Sequence, residues 1–252
     1  MFRRKLLAAI GSSLSLSLWA ADREEKIWDV IVVGTGVAGL SAACSALQAG
    51  AQNVLILEKG PIVGGHSILS TGYVAGVDTK RQKKLGITDS PELMLKNMLD
   101  IGGHKNDHEL AKIVCDQSED TIYWLEELGI KWDDNIFQTV AGMYPRSHIT
   151  SPVRAGYDYV MTLLKYALNN GAVLKLNTKA IDLIHDLGTV RGILTEEKGG
   201  HIHRYEAKAV ILATGGFTAN VELRTKYDPR LGPEFPTTAN PFGSTFDGAT
   251  GD

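Results

Sequence analysis

The 252-residue sequence has few cysteines, no strong charge of either sign and no apolar run long enough to span a bilayer comfortably. Neither Cys44 nor Cys115 lies in a Cys-x-x-Cys pair, so the sequence predicts no metal site and no haem attachment. The formal net charge of -3 gives no electrostatic attraction to nucleic acid. Cys44 lies in an apolar helical run, where a thiol packs as a small hydrophobe, and a disulfide to Cys115 is left open.

The first 21 residues differ in kind from the rest of the chain. Three basic residues (3–5) precede an uncharged run from Leu6 to Trp19 and two alanines (20–21). This order is typical of a secretory signal peptide, so we exclude residues 1–21 from the fold and predict export. The Sec and twin-arginine routes both stay open, and an anchoring amphipathic helix is the alternative interpretation.

A βαβ unit is predicted near the start of the remaining chain. A continuous β-branched run from Val30 to Val33, bounded by glycine, predicts a buried parallel strand. The turn GTGVAG (34–39) and a small-residue helix from Leu40 to Ala49 follow. A second strand is predicted from Asn53 to Leu57, and it ends in Glu58.

The rest of the chain mixes helices and strands. Helical periodicity runs from Ser90 to Leu128, with Ser90 and Asp107 as N-caps, and a further helix is predicted from Tyr157 to Asn169. The strand-like segments after it are Val173–Leu176, Ala180–His185, Val190–Leu194, His201–Glu206 and Ala209–Ala213. We predict an α/β fold, with a parallel sheet, helices on both of its faces and a small β-ribbon layer.

The glycine-rich turn carries the main chemical signal. Gly34 permits a tight turn out of the strand, Gly36 lets a pyrophosphate approach the backbone, and Gly39 lets helix and strand pack closely. The helix N-terminus offers free N–H groups and a partial positive charge to phosphates. Glu58, about 20 residues further on, is placed to accept hydrogen bonds from ribose hydroxyls. We interpret the combination as a dinucleotide site; a glycine turn used for packing alone is the alternative.

Two further features favour FAD over a nicotinamide dinucleotide. Gly64 and Gly65 follow Glu58 where FAD proteins place a second glycine pair close to the cofactor. The segment ATGG (213–216) ends an apolar strand and resembles the second FAD motif, whose turn lies near the glycine-rich loop. A strand-terminal turn without a ligand is the alternative interpretation of this segment.

In combination and order, these motifs resemble the periplasmic fumarate reductase and flavocytochrome c flavoproteins of the succinate dehydrogenase and fumarate reductase superfamily. The segments that carry the resemblance are DVIVVGTGVAGLSAA (29–43), LEKGPIVGGHSILSTGYVAG (57–76), ITDSPELM (87–94), PRSH (145–148), KLNTKAIDL (175–183), AVILATGGF (209–217) and DGATGD (247–252). The resemblance implies a Rossmann-like FAD-binding domain over residues 27–252 and a periplasmic location.

The resemblance also implies FAD contacts at matching positions, in addition to the glycines of the two motifs. They are Val37 and Ala38 at the pyrophosphate turn, Glu58 and Lys59 at the adenosine ribose, His66, Ser67, Ser70, Thr71 and Gly72 along the flavin, Ala180 at the adenine, Thr214 and Gly215 in the ATGG turn, and Asp252 near the cofactor. No catalytic residue and no metal ligand is predicted.

His66 leaves two forms of flavin attachment open. The soluble fumarate reductases generally carry asparagine at this position, whereas the membrane-bound relatives carry the histidine that links covalently to the flavin. Counting back from Gly72, His66 falls on that histidine position. A histidine that hydrogen-bonds a non-covalent flavin is the preferred interpretation, and a covalent histidyl-FAD is the alternative.

The resemblance ends where the catalytic segments of the family begin. Relatives continue past the motif at residues 250–252 with a substrate clamp, a mobile capping domain and a C-terminal glycine-rich strand. We therefore expect an incomplete FAD-binding domain that lacks the capping domain, in a fragment or truncated reading frame. Arg146 and His148 look like a substrate-binding pair, but in an irregular segment they are expected to be structural. No Cys-x-x-Cys-His site is encoded, so electrons are expected from a separate cytochrome or quinol-linked donor, or from haems not encoded here.

The function predicted from the resemblance is FAD-dependent reduction of the C=C bond of a small unsaturated carboxylate such as fumarate. This chain alone is expected to be inactive because the catalytic segments are missing. A non-catalytic FAD-binding fragment and an FAD dehydrogenase of a larger substrate, such as a ketosteroid, are the alternatives.

Overall fold

The computed structural model describes residues 23–139 and 144–235. The predicted signal peptide and Asp252 lie outside the described residues. The strands are β1 (Arg23–Val33), β2 (Val54–Leu57), β3 (Val74–Ala75), β4 (Ser147–His148), β5 (Val173–Lys175), β6 (Thr178–Asp186), β7 (Thr189–Glu197) and β8 (Ile202–Leu212). The helices are α1 (Val37–Gln48), α2 (Lys80–Lys84), α3 (Pro91–Ile101), α4 (His108–Asp116), α5 (Ser118–Glu127), α6 (Gly156–Asn169) and α7 (Val221–Tyr227), with a single 3₁₀ turn at Ser67–Leu69.

The main sheet has six strands in the order β5-β2-β1-β8-β7-β6. The first four are parallel to one another, and β8, β7 and β6 continue the sheet as an antiparallel meander. Strands β3 and β4 form a separate antiparallel pair. This is the predicted α/β class, with a mostly parallel sheet and a β-ribbon.

The two faces of the parallel strands are covered differently. Because side chains alternate along a strand, Val32 and Ile56 face one side and pack against α1, α5 and α6. Ile31 and Leu55 face the other side, where they share a core with Ile193 of β7 and Tyr205 of β8. The sequence predicted helices on this second face as well. Among the described residues, the antiparallel meander of β6, β7 and β8 covers it.

Strand β8 is longer than the sequence indicates. The prediction divided it into His201–Glu206 and Ala209–Ala213. The structure has one strand, in which residues 202–206 pair with β7 and residues 204–212 pair with β1. Lys208 lies at the exposed surface, with its Nζ 2.6 Å from Asp29 Oδ1. Because its charge stays at the surface, the pairing of β8 with β1 continues on both sides of Lys208.

The helix caps and the cysteines follow elementary expectations. Ser90 and Asp107 accept hydrogen bonds from the N–H groups of Leu93 and Leu110, as predicted for N-caps of α3 and α4. Both cysteines are free, so the disulfide that the sequence left open is not formed. Cys44 is fully buried, and burial raises the pKa of its thiol to about 11. In the described ranges, no helix is both long and apolar enough to cross a bilayer.

Arg146 and His148 belong to a buried polar network that includes β4. Arg146 donates from Nε and Nη2 to the two carboxylate oxygens of Asp89, each at 3.0 Å. Asp89 Oδ2 also accepts from Gln82 Nε2 at 3.0 Å, and His148 Nε2 lies 3.0 Å from Thr79 Oγ1. These contacts agree with the structural role expected for Arg146 and His148.

Candidate dinucleotide-binding site

The site lies at the carboxyl ends of the parallel strands, where α/β sheets bind ligands. The backbone leaving β1 and β2 is tied to the neighbouring strands. Gly34 N–H donates to Leu57 O at 2.8 Å, and Glu58 N–H donates to Lys175 O at 2.8 Å. Ala213 N–H, just after β8, donates to Val33 O at 2.9 Å. The glycine turn, the acidic residue and the ATGG segment therefore meet at one edge of the sheet.

Two glycines of the turn occupy places that no side chain can enter. Gly34 has a φ of +109°, and a Cβ built on it would lie 2.3 Å from Ala213 O. A Cβ on Gly39 would lie 2.0 Å from Gly34 O and 3.3 Å from the Ala213 Cβ. The ATGG segment thus packs directly on the first turn, although the two are far apart in sequence.

The N-terminus of α1 is suited to an anion. Its N-cap, Gly36, has no side chain to bond the first amides, and the first turn contains no acidic residue. Val37 and Ala38 are exposed, and Val37 N–H donates to Ser67 Oγ at 2.9 Å. Because Ser67 Oγ accepts in this bond, its own hydroxyl proton is left to donate. The helix dipole adds partial positive charge at the same point.

Glu58 is buried, with 8% of its surface exposed, and is held by polar contacts from two loops. Its Oε2 accepts from the N–H of Thr35 at 3.2 Å and from the Thr35 hydroxyl. Its Oε1 accepts from Gly60 N–H at 2.9 Å. Thr35 Oγ1 in turn accepts from Gly64 N–H at 3.1 Å.

The loop over residues 66–72 packs against the start of α6. Gly156 N–H donates to Ser70 O at 2.9 Å, and Tyr159 donates its hydroxyl to Gly72 O at 2.6 Å. Burial raises the pKa of Tyr159, which keeps the phenol protonated as a donor. Gly72 has a φ of +82°, and a Cβ on it would lie 2.7 Å from the carbonyl carbon of Ala155. The loop therefore has a fixed path along α6.

The predicted site residues fall into three groups. Those at the glycine turn and its surroundings are Gly34, Gly36, Val37, Ala38, Gly39, Glu58, Lys59, Gly64, Gly65, Ser67, Thr214 and Gly215. Those in the rest of the loop along α6 are His66, Ser70, Thr71 and Gly72. Ala180 lies apart in β6, opposite Thr195 of β7, although its strand begins at Thr178, whose N–H donates to Glu58 O.

Thr35 was not predicted from the sequence, although its side chain bonds both Glu58 and Gly64. It occupies a variable position of the glycine motif, which gave no reason to single it out. The sequence offered one signal for it: a hydroxyl side chain near the end of β1, 23 residues before the acid at the end of β2.

Within the described ranges, no group of three or more His, Cys, Asp or Glu side chains could hold a metal ion.

The residues present fit a dinucleotide that carries a pyrophosphate and a ribose. The α1 N-terminus suits the phosphates, because its N-cap has no capping side chain and its first turn has no acidic residue. The Val37 amide holds the Ser67 hydroxyl, whose own proton can donate to a phosphate. Glu58 at the adjacent strand end offers a buried acceptor for hydroxyl groups.

Comparison with known proteins agrees with this geometry. A family model described as "FAD binding domain" matches residues 29–249. The chain is 38% identical over 204 residues to "Fumarate reductase (cytochrome)" of Shewanella frigidimarina, covering 81% of this chain and 36% of the relative. It is also 38% identical over 232 residues to "Urocanate reductase" of Eggerthella lenta, covering 89% of this chain and 36% of the relative. The chain thus spans little more than a third of the length of these relatives.

Solved structures give the same result. The open conformation of a flavocytochrome c3 fumarate reductase matches with a TM-score of 0.81 and 32% identity, covering 87% of this chain and 39% of that chain. A 3-ketosteroid-delta4-(5alpha)-dehydrogenase from Rhodococcus jostii RHA1 matches with a TM-score of 0.78 and 27% identity, covering 90% of this chain and 53% of that chain.

Proposed function

The chain belongs to the FAD binding domain family, its cofactor is FAD, and we propose that it serves in the reduction of the C=C bond of a small unsaturated carboxylate. The observation that carries the proposal is the match to two reductases, named for fumarate and urocanate, over 81% and 89% of the chain. Both glycine motifs and Glu58 lie within residues 29–249, which match the family model. The expected resemblance to the fumarate reductase flavoproteins is confirmed by these matches.

Bound FAD supplies hydride-transfer chemistry, and the residues of this chain hold it in position. In the proposal, the pyrophosphate lies at Val37 and Ala38, with the help of the α1 dipole. The Ala38 amide binds it directly, and the Val37 amide acts through the Ser67 hydroxyl that it holds. Glu58 accepts hydrogen bonds from the adenosine ribose, with Lys59 beside it. Ser67 donates its hydroxyl proton toward a phosphate oxygen.

The flavin end of the site is proposed to lie along the loop fixed by α6. The residues assigned there are His66, Ser70, Thr71 and Gly72, with Thr214 and Gly215 of the ATGG turn on the other side. Ala180 is proposed to meet the adenine through its backbone, and Asp252 keeps its proposed place near the cofactor. His66 is proposed to hydrogen-bond a non-covalent flavin. After acid precipitation of the FAD-loaded protein, yellow colour in the supernatant supports this, and colour that stays in the pellet supports a covalent histidyl-FAD.

The proposed setting is the periplasm, reached through a signal peptide over residues 1–21. The sequence encodes no Cys-x-x-Cys-His haem site, so a separate electron donor, such as a cytochrome or a quinol-linked protein, is proposed. Mature N-terminal sequencing of the protein from a periplasmic extract tests the location. An N-terminus near residue 22 supports export, and an intact Met1 in the cytoplasmic fraction contradicts it.

An anaerobic assay tests the proposed reaction. The protein purified from its source organism, with FAD bound, is mixed with reduced viologen, and oxidation of the viologen is followed after addition of fumarate, urocanate or acrylate. Turnover with one of these supports the reductase. Tight FAD binding without turnover favours a non-catalytic FAD-binding role, and a chain that does not bind FAD contradicts the proposal.

A ketosteroid dehydrogenase function is the second candidate, because the Rhodococcus jostii enzyme matches nearly the whole chain. The two candidates differ in the direction and the substrate of the reaction. Reduction of an artificial electron acceptor in the presence of a 3-ketosteroid, with no oxidation of viologen by carboxylates, favours the dehydrogenase.

A further inference from the structure

Thr35 connects three segments of the site through one side chain. Its hydroxyl accepts from Gly64 N–H at 3.1 Å and donates to Glu58 Oε2. Its own N–H donates to the same carboxylate oxygen at 3.2 Å. The glycine turn, the acid at the end of β2 and the second glycine pair are therefore joined at this residue.

The direction of these bonds is fixed. A hydroxyl has one proton, and because Gly64 N–H already acts as donor to Thr35 Oγ1, that proton goes to Glu58. Thr35 is fully buried, so water does not compete for the hydroxyl. The two bonds from Thr35 fill the acceptor positions of Oε2, since a carboxylate oxygen has about two of them.

The other oxygen of Glu58 is left with capacity for a ligand. Oε1 accepts from Gly60 N–H at 2.9 Å, which takes one of its acceptor positions. The carboxylate is thus locked on one side by Thr35 and offers acceptor capacity on the other. A buried acceptor that is held before the ligand arrives loses little conformational entropy on binding.

We propose that Thr35 is a positioning residue for the adenosine half of FAD: it orients Glu58 so that Oε1 receives the ribose hydroxyl, and it ties Gly64 to the glycine turn. This inference rests on the proposed FAD site. Thr35 acts through Glu58 and through the path of the backbone, without itself reacting.

The test compares Thr35→Val, which keeps the shape and removes the hydroxyl, with Thr35→Ser, which keeps the hydroxyl. Equilibrium titrations with FAD and with ADP, which has the ribose and pyrophosphate but no flavin, give the dissociation constants. Thr35→Val is expected to raise both constants about tenfold, and Thr35→Ser by about twofold or less. Thr79→Val is the matched control, because Thr79 is also fully buried but bonds His148 in the other network. It is expected to leave both constants unchanged.

A double-mutant cycle separates positioning from general destabilisation. If Thr35 acts through Glu58, adding Thr35→Val to Glu58→Gln weakens ADP binding by about twofold or less beyond Glu58→Gln alone. If Thr35→Val does not fold, Thr35→Ala takes its place in the cycle.

Three outcomes overturn the inference: equal binding by the Val and Ser variants, fully additive effects in the cycle, or an equal loss in Thr79→Val. Failure of the proposed FAD site, on which the inference rests, is distinguishable, because in that case the unmodified chain binds neither FAD nor ADP.

Discussion

Two buried carboxylates of this chain are held in opposite ways. Asp89 faces the guanidinium of Arg146, whose Nε and Nη2 lie 3.0 Å from its two oxygens, and both side chains are almost completely buried. Glu58 is held by a hydroxyl and by backbone amides, and its described hydrogen bonds include no cation. The charge of Asp89 is compensated by the opposite charge of Arg146, whereas Glu58 has no paired cation among its described contacts and retains acceptor capacity for a ligand.

In the proposed function, the first network serves the fold and the second serves binding. Both are close to β-strand ends, and both include a fully buried threonine, so burial alone does not distinguish them. The difference is that Asp89 is paired with a cation, whereas Glu58 has only uncharged donors and keeps acceptor capacity on Oε1. Variants in the first network should therefore lower the free energy of unfolding, and variants in the second should weaken FAD binding.

The largest effect is expected from Arg146→Met. Removing the guanidinium leaves the Asp89 carboxylate buried and without its ion pair, which costs about 3–5 kcal/mol of the free energy of unfolding. Urea unfolding measures the loss. FAD affinity of the folded fraction should stay the same, because the network does not contact the glycine turn in the described structure. Lys96→Met is the control, since the Lys96–Asp100 pair is exposed and its loss should be barely measurable. A stable Arg146→Met protein that has lost FAD affinity would break the comparison.

The second-largest effect is expected from Glu58→Gln, which should weaken FAD binding. The amide keeps the shape but removes the negative charge, so hydrogen bonds to ribose weaken, and the FAD dissociation constant should rise about tenfold or more. The loss of unfolding free energy should be smaller than that of Arg146→Met. Glu206→Gln is the control, because Glu206 pairs with Arg204 at the surface of the sheet. Unchanged FAD affinity in Glu58→Gln, measured by fluorescence titration, would remove the distinction between the two networks.

The smallest effect is expected from pH. Burial lowers the pKa of His148, so the folded protein favours the neutral ring. Below a histidine's ordinary pKa of about 6.5 the unfolded chain binds a proton that the folded chain resists, and stability falls as the pH decreases. The free energy of unfolding should therefore decline between about pH 7.5 and about pH 6, and this slope should be shallower in His148→Asn. FAD affinity should not follow the same curve; an equal slope in both proteins would show that His148 does not titrate as described.

Sequence reasoning recovers the parts of the fold that have local signals. The β-branched run before Gly34, the caps at Ser90 and Asp107, and the spacing from the glycine turn to Glu58 all depend on neighbours in the chain. Strand β8 was predicted as two segments, although pairing with β1 and β7 makes it one continuous strand. Local pattern does not contain that information.

The contacts that distinguish the two networks were beyond sequence reasoning for a related reason. Asp89 and Arg146 are 57 residues apart, in segments without regular periodicity, so nothing in the sequence pairs them. Thr35 was passed over because a hydroxyl within a glycine motif resembles any other variable residue. Only the fold shows that its side chain meets Glu58 and Gly64.

The most direct measurement is an equilibrium titration of the folded chain with FAD, run in parallel with NAD, and followed by flavin fluorescence and by thermal stability. The account predicts saturable binding of FAD, a rise in melting temperature with FAD concentration, and no comparable response to NAD. A chain that is folded and ignores FAD, or that prefers NAD, would contradict the assignment of the glycine turn and Glu58 as an FAD site.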